Sequence, residues 1–236
     1  GPSVGKLVAK AKDTALILYS IYFALMVLMA VMLLFGGMNV YEAFTTALST
    51  AGTGGFMVYD AGFIGLSPYL QTVTTVFMLL FGVNFNVYYL FLIRKPKDAL
   101  RCEEMRGYLG IILVSTLLIT WNIRGMFPNI LTALRHAAFQ VGSIITTTGY
   151  STTDFDLWPG FSKTILVSLM FIGACAGSTG GGIKVSRIAI AVKTVNKELS
   201  SLIHPRNVKV LKYEGKPIEH NVLRSINTYL VAYILI

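Results

Sequence analysis

Residues 14–36 read TALILYSIYFALMVLMAVMLLFG, a run of 23 without a single charge. At about 1.5 Å of rise per residue, a helix of roughly 20 such residues covers the hydrocarbon of a bilayer. Inside lipid the backbone must satisfy its own polar groups, which leaves a membrane chain a short menu of folds. A second run, 68–93, is long enough to cross despite Gln71, Asn84 and Asn86, and 108–123 is a third, shorter and uncharged. Residues 162–195 start as a fourth span and then meet glycines, and a fifth opens near Val222. Only 13% of the chain is charged and 54% is hydrophobic, where a soluble domain carries about a quarter charged residues. The expected class is an all-α membrane protein. The chain starts at Gly1 without a signal-peptide pattern and stops inside the apolar run TYLVAYILI, so it reads as an interior piece of a longer protein.

The charges give a sidedness. Seventeen of the 20 Lys and Arg fall before the first span, in the 94–106 loop, or between Lys184 and Arg224. Only Arg124, Arg135 and Lys163 lie across from them. Positive loops mark the cytoplasmic side, so the N-terminus is expected there and the net charge of +9 is a topology signal. No nucleic acid is expected, and membrane lipid is the expected neighbour of the basic segments. Cys102 and Cys175 stand in unlike contexts and give neither a metal spacing nor a disulfide framework. No His/Cys/acid cluster or nucleophile–base pair stands out, so no enzyme chemistry is expected.

The two segments on the opposite side repeat each other. NVYEAFTTALSTAGTGGFMVYD (39–60) and NILTALRHAAFQVGSIITTTGYSTTD (129–154) align at an offset of 94. Ala43 then meets Ala137, Ser49 meets Ser143, Thr53 meets Thr147, Gly55 meets Gly149 and Phe56 meets Tyr150. Each is flanked by spans, giving a repeat of span, short helix, polar glycine loop and span. Helices at 39–50 and 129–144 are too short to cross. They can dip in and return as extended loops, which membranes tolerate only where the backbone is buried in protein or lines a cavity. Glycine frees the backbone to turn its carbonyls inward. The helix C-terminus adds partial negative charge, and carbonyls can replace the hydration shell of a monovalent ion. An ordinary Thr- and Gly-rich turn is the alternative reading.

These units resemble the Trk/Ktr/HKT superfamily of potassium transporters, best its bacterial TrkH branch, over essentially the whole sequence. STAGTGGF (49–56) is similar to that family's second-repeat filter, TTTGYSTTDF (146–155) to its third, and GACAGSTGGGIKVSR (173–187) to the intramembrane loop of the third repeat. The resemblance implies repeated helix–pore helix–filter loop–helix units of the potassium-channel-like type. Residues 1–13 would be a cytoplasmic lead-in. Residues 14–93 would be one repeat, with pore helix 39–50, filter 51–56 and span 68–93. A cytoplasmic loop at 94–106 would follow, then a repeat at 107–195 with pore helix 129–144, filter 145–151 and interrupted span 162–195. Residues 196–221 would be cytoplasmic and 222–236 the start of another repeat. Thr53, Gly54, Gly55, Thr147, Thr148 and Gly149 are the implied ion-binding residues, with K+ as transported ion and no organic cofactor. The implied setting is the bacterial inner membrane, as a homodimer with a cytosolic nucleotide-binding regulatory subunit. The family carries four filters around one pore, and this sequence holds two.

Three consecutive glycines, Gly180–Gly182, weaken any helix by about 1 kcal/mol each against alanine. The phosphate-loop pattern G-x-x-x-x-G-K-[ST] fails, because Ile183 separates Gly182 from Lys184. A kink packed by small residues is one reading. A gate formed by Gly173, Gly177, Ser178, Thr179, Gly180, Gly181 and Gly182 is the other. A secondary transporter that binds a solute or sodium at the glycine-broken helix is the competing function. Glu42 and His136 align at the starts of the two short helices, and Tyr59, Tyr69, Trp121 and Trp158 suit an interfacial belt. If residues 177–182 form a gate, shortening or stiffening them should raise or abolish ion flux with ion preference intact. An equal loss of selectivity in the same flux assay would count against a gate.

Overall fold

The computed structural model describes residues 11–203 and 210–235. Most of the expected lead-in (1–10), residues 204–209 of the expected cytoplasmic segment and Ile236 lie outside the described residues. The long apolar run becomes α1 (Ala11–Phe35), followed by the short α2 (Val40–Ala51). Next come α3 (Pro68–Phe81), α4 (Phe85–Leu92) and α5 (Pro96–Arg101). The second unit repeats the order with α6 (Glu103–Ile123), α7 (Ile130–Ile145), α8 (Gly160–Phe171) and α9 (Val185–Ile203). A two-stranded antiparallel hairpin, β1 (Lys212–Tyr213) and β2 (Lys216–Pro217), leads into α10 (His220–Leu235). Among the described residues, α1 and α6 are long and apolar enough to cross a membrane, with α3 and α4 a third candidate taken together.

Asparagine starts both short helices. The Asn39 side chain accepts from the Glu42 N–H at 2.9 Å while Glu42 accepts from the Asn39 N–H at 3.0 Å, a reciprocal cap. Asn129 Oδ1 accepts from the Thr132 N–H at 2.8 Å. At about 18 Å and 24 Å long, α2 and α7 cannot span, and they are wrapped by the longer helices. α1 covers α2, α6 covers α7, and α3 packs across onto α7, which joins the two units. Ala43, Ala47 and Ala51 of α2 and Ala133 and Ala137 of α7 are fully buried. Short side chains on these faces let helix backbones approach closely. Phe63 closes the seam, 5.2 Å from the Phe139 ring and 5.0 Å from the Tyr150 ring.

The span read at 68–93 is broken. α3 and α4 meet at 90° across Gly82–Asn84, because Asn84 caps a new helix by accepting from the Asn86 N–H at 3.0 Å. The carbonyls freed by the break are used elsewhere: that of Gly82 accepts from the Cys175 N–H at 3.0 Å and that of Phe81 from the Thr179 N–H at 3.3 Å. A Cβ on Gly82 would strike the Tyr108 hydroxyl, so only glycine fits this corner. The interrupted span also differs in extent. It stops at Phe171, resumes at Val185 and continues to Ile203, past the boundary read at 195. Trp158 is only 2% exposed, packed in the core of the second unit, whereas Trp121 is 65% exposed. Trp158 is thus a core residue, not a belt residue.

Near the hairpin, Ile190, Leu211, Tyr213 and Ile226 form a small separate core. Lys193 of α9 pairs with Glu103 and donates to the Lys212 carbonyl at 3.1 Å, which ties the hairpin to the start of α6. Replacing Ala137 with Leu should overpack the α6–α7 contact and destabilise the protein by about 1–3 kcal/mol. The check is a thermal melt in detergent beside an exposed control such as Leu131→Ala.

Candidate functional site

Both short helices end in loops built alike. After α2, the N–H groups of Gly52, Thr53 and Gly54 bond back to the carbonyls of Leu48, Thr50 and Ser49. The Phe56 N–H bonds to Ser49 Oγ at 2.7 Å. After α7, the N–H groups of Thr146, Thr147, Thr148 and Gly149 bond to the carbonyls of Gly142, Ile144, Ser143 and again Ser143. Ser143 Oγ donates to the Tyr150 carbonyl at 2.6 Å. Helix-end carbonyls and loop N–H groups thus satisfy one another, and the loop carbonyls are left over. Among the described residues, those of Thr53, Gly54, Gly55, Thr147, Thr148 and Gly149 accept no hydrogen bond.

The backbone alternation makes this possible. Thr53 (φ 50°) and Gly55 (φ 72°) are left-handed, as are Thr147 (φ 60°) and Gly149 (φ 88°), with a right-side residue between each pair. Glycine takes that region freely. A β-branched threonine there is strained by about 1–3 kcal/mol and persists only when its surroundings over-determine it. Both strained threonines sit at the same place in the repeat.

The two loops face each other. A Cβ on Gly55 would collide with the Thr148 carbonyl oxygen, whereas one on Gly149 would meet nothing within 4 Å. The Tyr150 hydroxyl crosses the seam to donate to the Phe56 carbonyl at 3.1 Å, and the Phe63 N–H bonds to the Ser151 carbonyl at 3.1 Å. Two negative helix ends and six unpaired carbonyls therefore share one region, where a cation is the natural complement.

The glycine loop, residues 172–184, lies against both. Thr53 Oγ1 donates to the Thr179 carbonyl at 3.2 Å, and the Gly181 N–H donates to Thr147 Oγ1 at 2.8 Å. Its ends close through the Gly173 N–H to the Ile183 carbonyl at 2.6 Å, next to an isolated bridge between Ile172 and Ile183. Gly177 packs on Asn84, and the Phe85 N–H bonds to the Gly177 carbonyl at 3.1 Å. Lys184 Nζ donates to the Gly180 carbonyl. Thus Gly177, Thr179, Gly180 and Gly181 touch the loops after α2 and α7 or the α3–α4 corner, while among the described residues Ser178 bonds within its own loop, to Cys175. Gly173 and Gly182 lie against each other.

Glu42 and His136 match when counted from the ends of α2 and α7, but only Glu42 lies at a helix start. Glu42 is in the first turn of α2, its carboxyl held below the usual range by the Tyr59 hydroxyl and the Asn39 N–H. His136 is mid-helix because α7 begins six residues before it; its Nδ1 lies 2.8 Å from Thr152 Oγ1 and its ring stacks on Phe127. Sequence reasoning missed Glu104. It is 3% exposed and accepts the Ala176 N–H at 2.6 Å, so it holds the glycine loop from below. The trace in the sequence was an acidic pair, Glu103–Glu104, just ahead of Arg106 and the uncharged run 108–123.

A cation transport protein family model, TrkH, matches residues 4–124 and 125–236. The potassium uptake protein TrkH of Salmonella typhimurium is 35% identical over 98% of this chain and 49% of its own length. TrkG of Escherichia coli is 31% identical over 98% of this chain and 48% of its own. The crystal structure of the potassium transporter TrkH from Vibrio parahaemolyticus superposes with a TM-score of 0.90 at 32% identity, covering 98% of this chain and 51% of that one. The chain has the all-α membrane fold of that structure and spans about half the length of the curated relatives it matches.

Substituting Gly55 by Ala adds a backbone collision to left-handed strain, whereas Gly149→Ala adds strain alone, about 1 kcal/mol. Gly55→Ala should lower the melting temperature more than Gly149→Ala, as read by differential scanning fluorimetry in detergent.

Proposed function

Because this chain belongs to the TrkH family of cation transport proteins, we propose that it supplies two of the filter segments of a potassium uptake pathway. The observation that carries this is the set of six unpaired carbonyls at Thr53, Gly54, Gly55, Thr147, Thr148 and Gly149, placed at matching repeat positions. Backbone oxygens held by their own pore helices exchange for water around a potassium ion without a large rearrangement. The helix C-termini add favourable potential. Sodium is the competing ion, and the stiffness of the strained threonines favours a fixed cavity over one that shrinks onto a smaller ion.

The glycine loop is the gate in this reading. It touches Thr53 and Thr147, the two strained residues, and its backbone has the freedom to leave them. A transporter with its solute at the broken helix is less well supported. The carbonyls of Ala174, Cys175, Gly177, Thr179 and Gly180 already accept hydrogen bonds, and the oxygens left open in that loop lack the matched repeat positions that the filter loops have. The basic segments support a reading in which the N-terminus and the 94–106 loop face the cytoplasm across a bacterial inner membrane. The family resemblance adds a homodimer and a cytosolic nucleotide-binding regulatory subunit docking on that face.

The test is potassium and sodium flux through the protein at its full native length, with Gly55→Ser and Gly149→Ser made separately. Each should lose potassium preference or transport while the protein stays folded by gel filtration. Unchanged discrimination in both variants would remove these glycines from the filter.

A further inference from the structure

The carboxylate of Glu104 is buried, and it joins three elements. Oε1 accepts the Ala176 N–H at 2.6 Å and the Ser186 N–H at 3.3 Å, one from inside the glycine loop and one from the start of α9 beyond it. Oε2 accepts from Asn84 Nδ2 at 3.4 Å, at the α3–α4 corner on which Gly177 rests. A buried charge is costly unless it is well hydrogen-bonded. This one is stabilised by backbone N–H groups and by its place in the first turn of α6, where the helix end is positive. Withdrawing the glycine loop would take away the shortest of those bonds, so the charge favours the docked loop.

The seat of that carboxylate is itself held by the hairpin. Cys102, at the cap position of α6, makes no side-chain cap to the helix. Glu214 supplies the cap from the β1–β2 turn: its Oε1 accepts the Glu104 N–H at 3.1 Å and the Cys102 thiol at 3.3 Å. Glu214 is itself left-handed (φ 51°), a strained residue kept in place by these contacts. A continuous set of hydrogen bonds therefore runs from the hairpin through the start of α6 to the glycine loop, and from there to Thr53 and Thr147.

We propose that Glu104 is a positioning residue that latches the glycine loop against the two filter loops, and that the Glu214 hairpin sets the latch. This rests on the reading of the glycine loop as a gate. It goes beyond that reading by naming what holds the gate shut and where a contact on the hairpin would act. A force on the turn at Glu214–Gly215 shifts the first turn of α6, and with it the one side chain that grips both the loop and the helix beyond.

The experiment uses the protein at its full native length in lipid nanodiscs and proteoliposomes, with potassium and sodium flux and backbone hydrogen–deuterium exchange as the two readouts. Glu104→Gln keeps the shape and removes the charge; Glu104→Asp keeps the charge and shortens the reach. Glu214→Asn keeps a residue tolerant of the left-handed turn and withdraws the cap. Glu104→Gln should raise potassium flux about tenfold, the loss of one charge-assisted bond. The potassium-to-sodium ratio should be unchanged and exchange faster over residues 174–186. Glu104→Asp should fall between it and the unmodified protein, and Glu214→Asn should shift both readouts the same way by less. A general loss of structure lowers flux, so it cannot imitate this result; should Glu104→Gln fail to fold, Glu214→Asn carries the test. Unchanged loop exchange in the variants overturns the proposal, as does faster exchange with flux unchanged or with an altered ion ratio. An unmodified protein that carries no potassium would sink the transport reading instead, and loop exchange alone would then decide on the latch.

Discussion

A peptide group taken out of water has to find a partner, and in this chain the N–H groups find theirs first. The loops after α2 and α7 fold back so that helix-end carbonyls absorb nearly every loop N–H. What remains is a surplus of oxygens, six of them at matching positions. Unpaired carbonyls are tolerated only where water or a cation can reach them, and Gly54, Thr147 and Gly149 are exposed. The strained threonines, the small residues under the short helices and the aromatic seam around Phe63 all serve to hold that surplus in place.

The same constraint explains the irregular parts. Each helix break releases backbone groups, and the two breaks satisfy each other: the oxygens freed at Phe81 and Gly82 receive the N–H groups of Thr179 and Cys175. The corner and the glycine loop are therefore one feature made by two segments about 90 residues apart in sequence. Glu104 completes it by taking N–H groups that neither break could satisfy. The loop is anchored by Ala174 and Cys175 in the core and is otherwise held by hydrogen bonds to the corner, the two short-helix loops and Glu104.

Much of this was legible in the sequence because length and period are enough for spans and short helices. The boundaries read at 39–50 and 129–144 lie one residue from α2 and α7, since an asparagine marks each start. The glycine–hydroxyl pattern at an offset of 94 pointed to the loops. Other features left no local trace. Gly82 inside an apolar run looks like a tolerated glycine, and the bend there depends on Tyr108 and on a loop far along the chain. Trp158 has the composition of a belt residue and the surroundings of a core one. Glu104 reads as an ordinary acid at a helix start, and its function is written in the partners that tertiary folding brings to it.

The bond from Tyr150 to the Phe56 carbonyl makes the two repeats unequal in a way their alignment hides. Phe56 stands at the corresponding place and has no hydroxyl with which to brace its neighbour in turn. At this position the loop after α7 braces the loop after α2 and receives no such bond in return. The pair is therefore mechanically unsymmetrical, and a change in either loop is felt differently by the other.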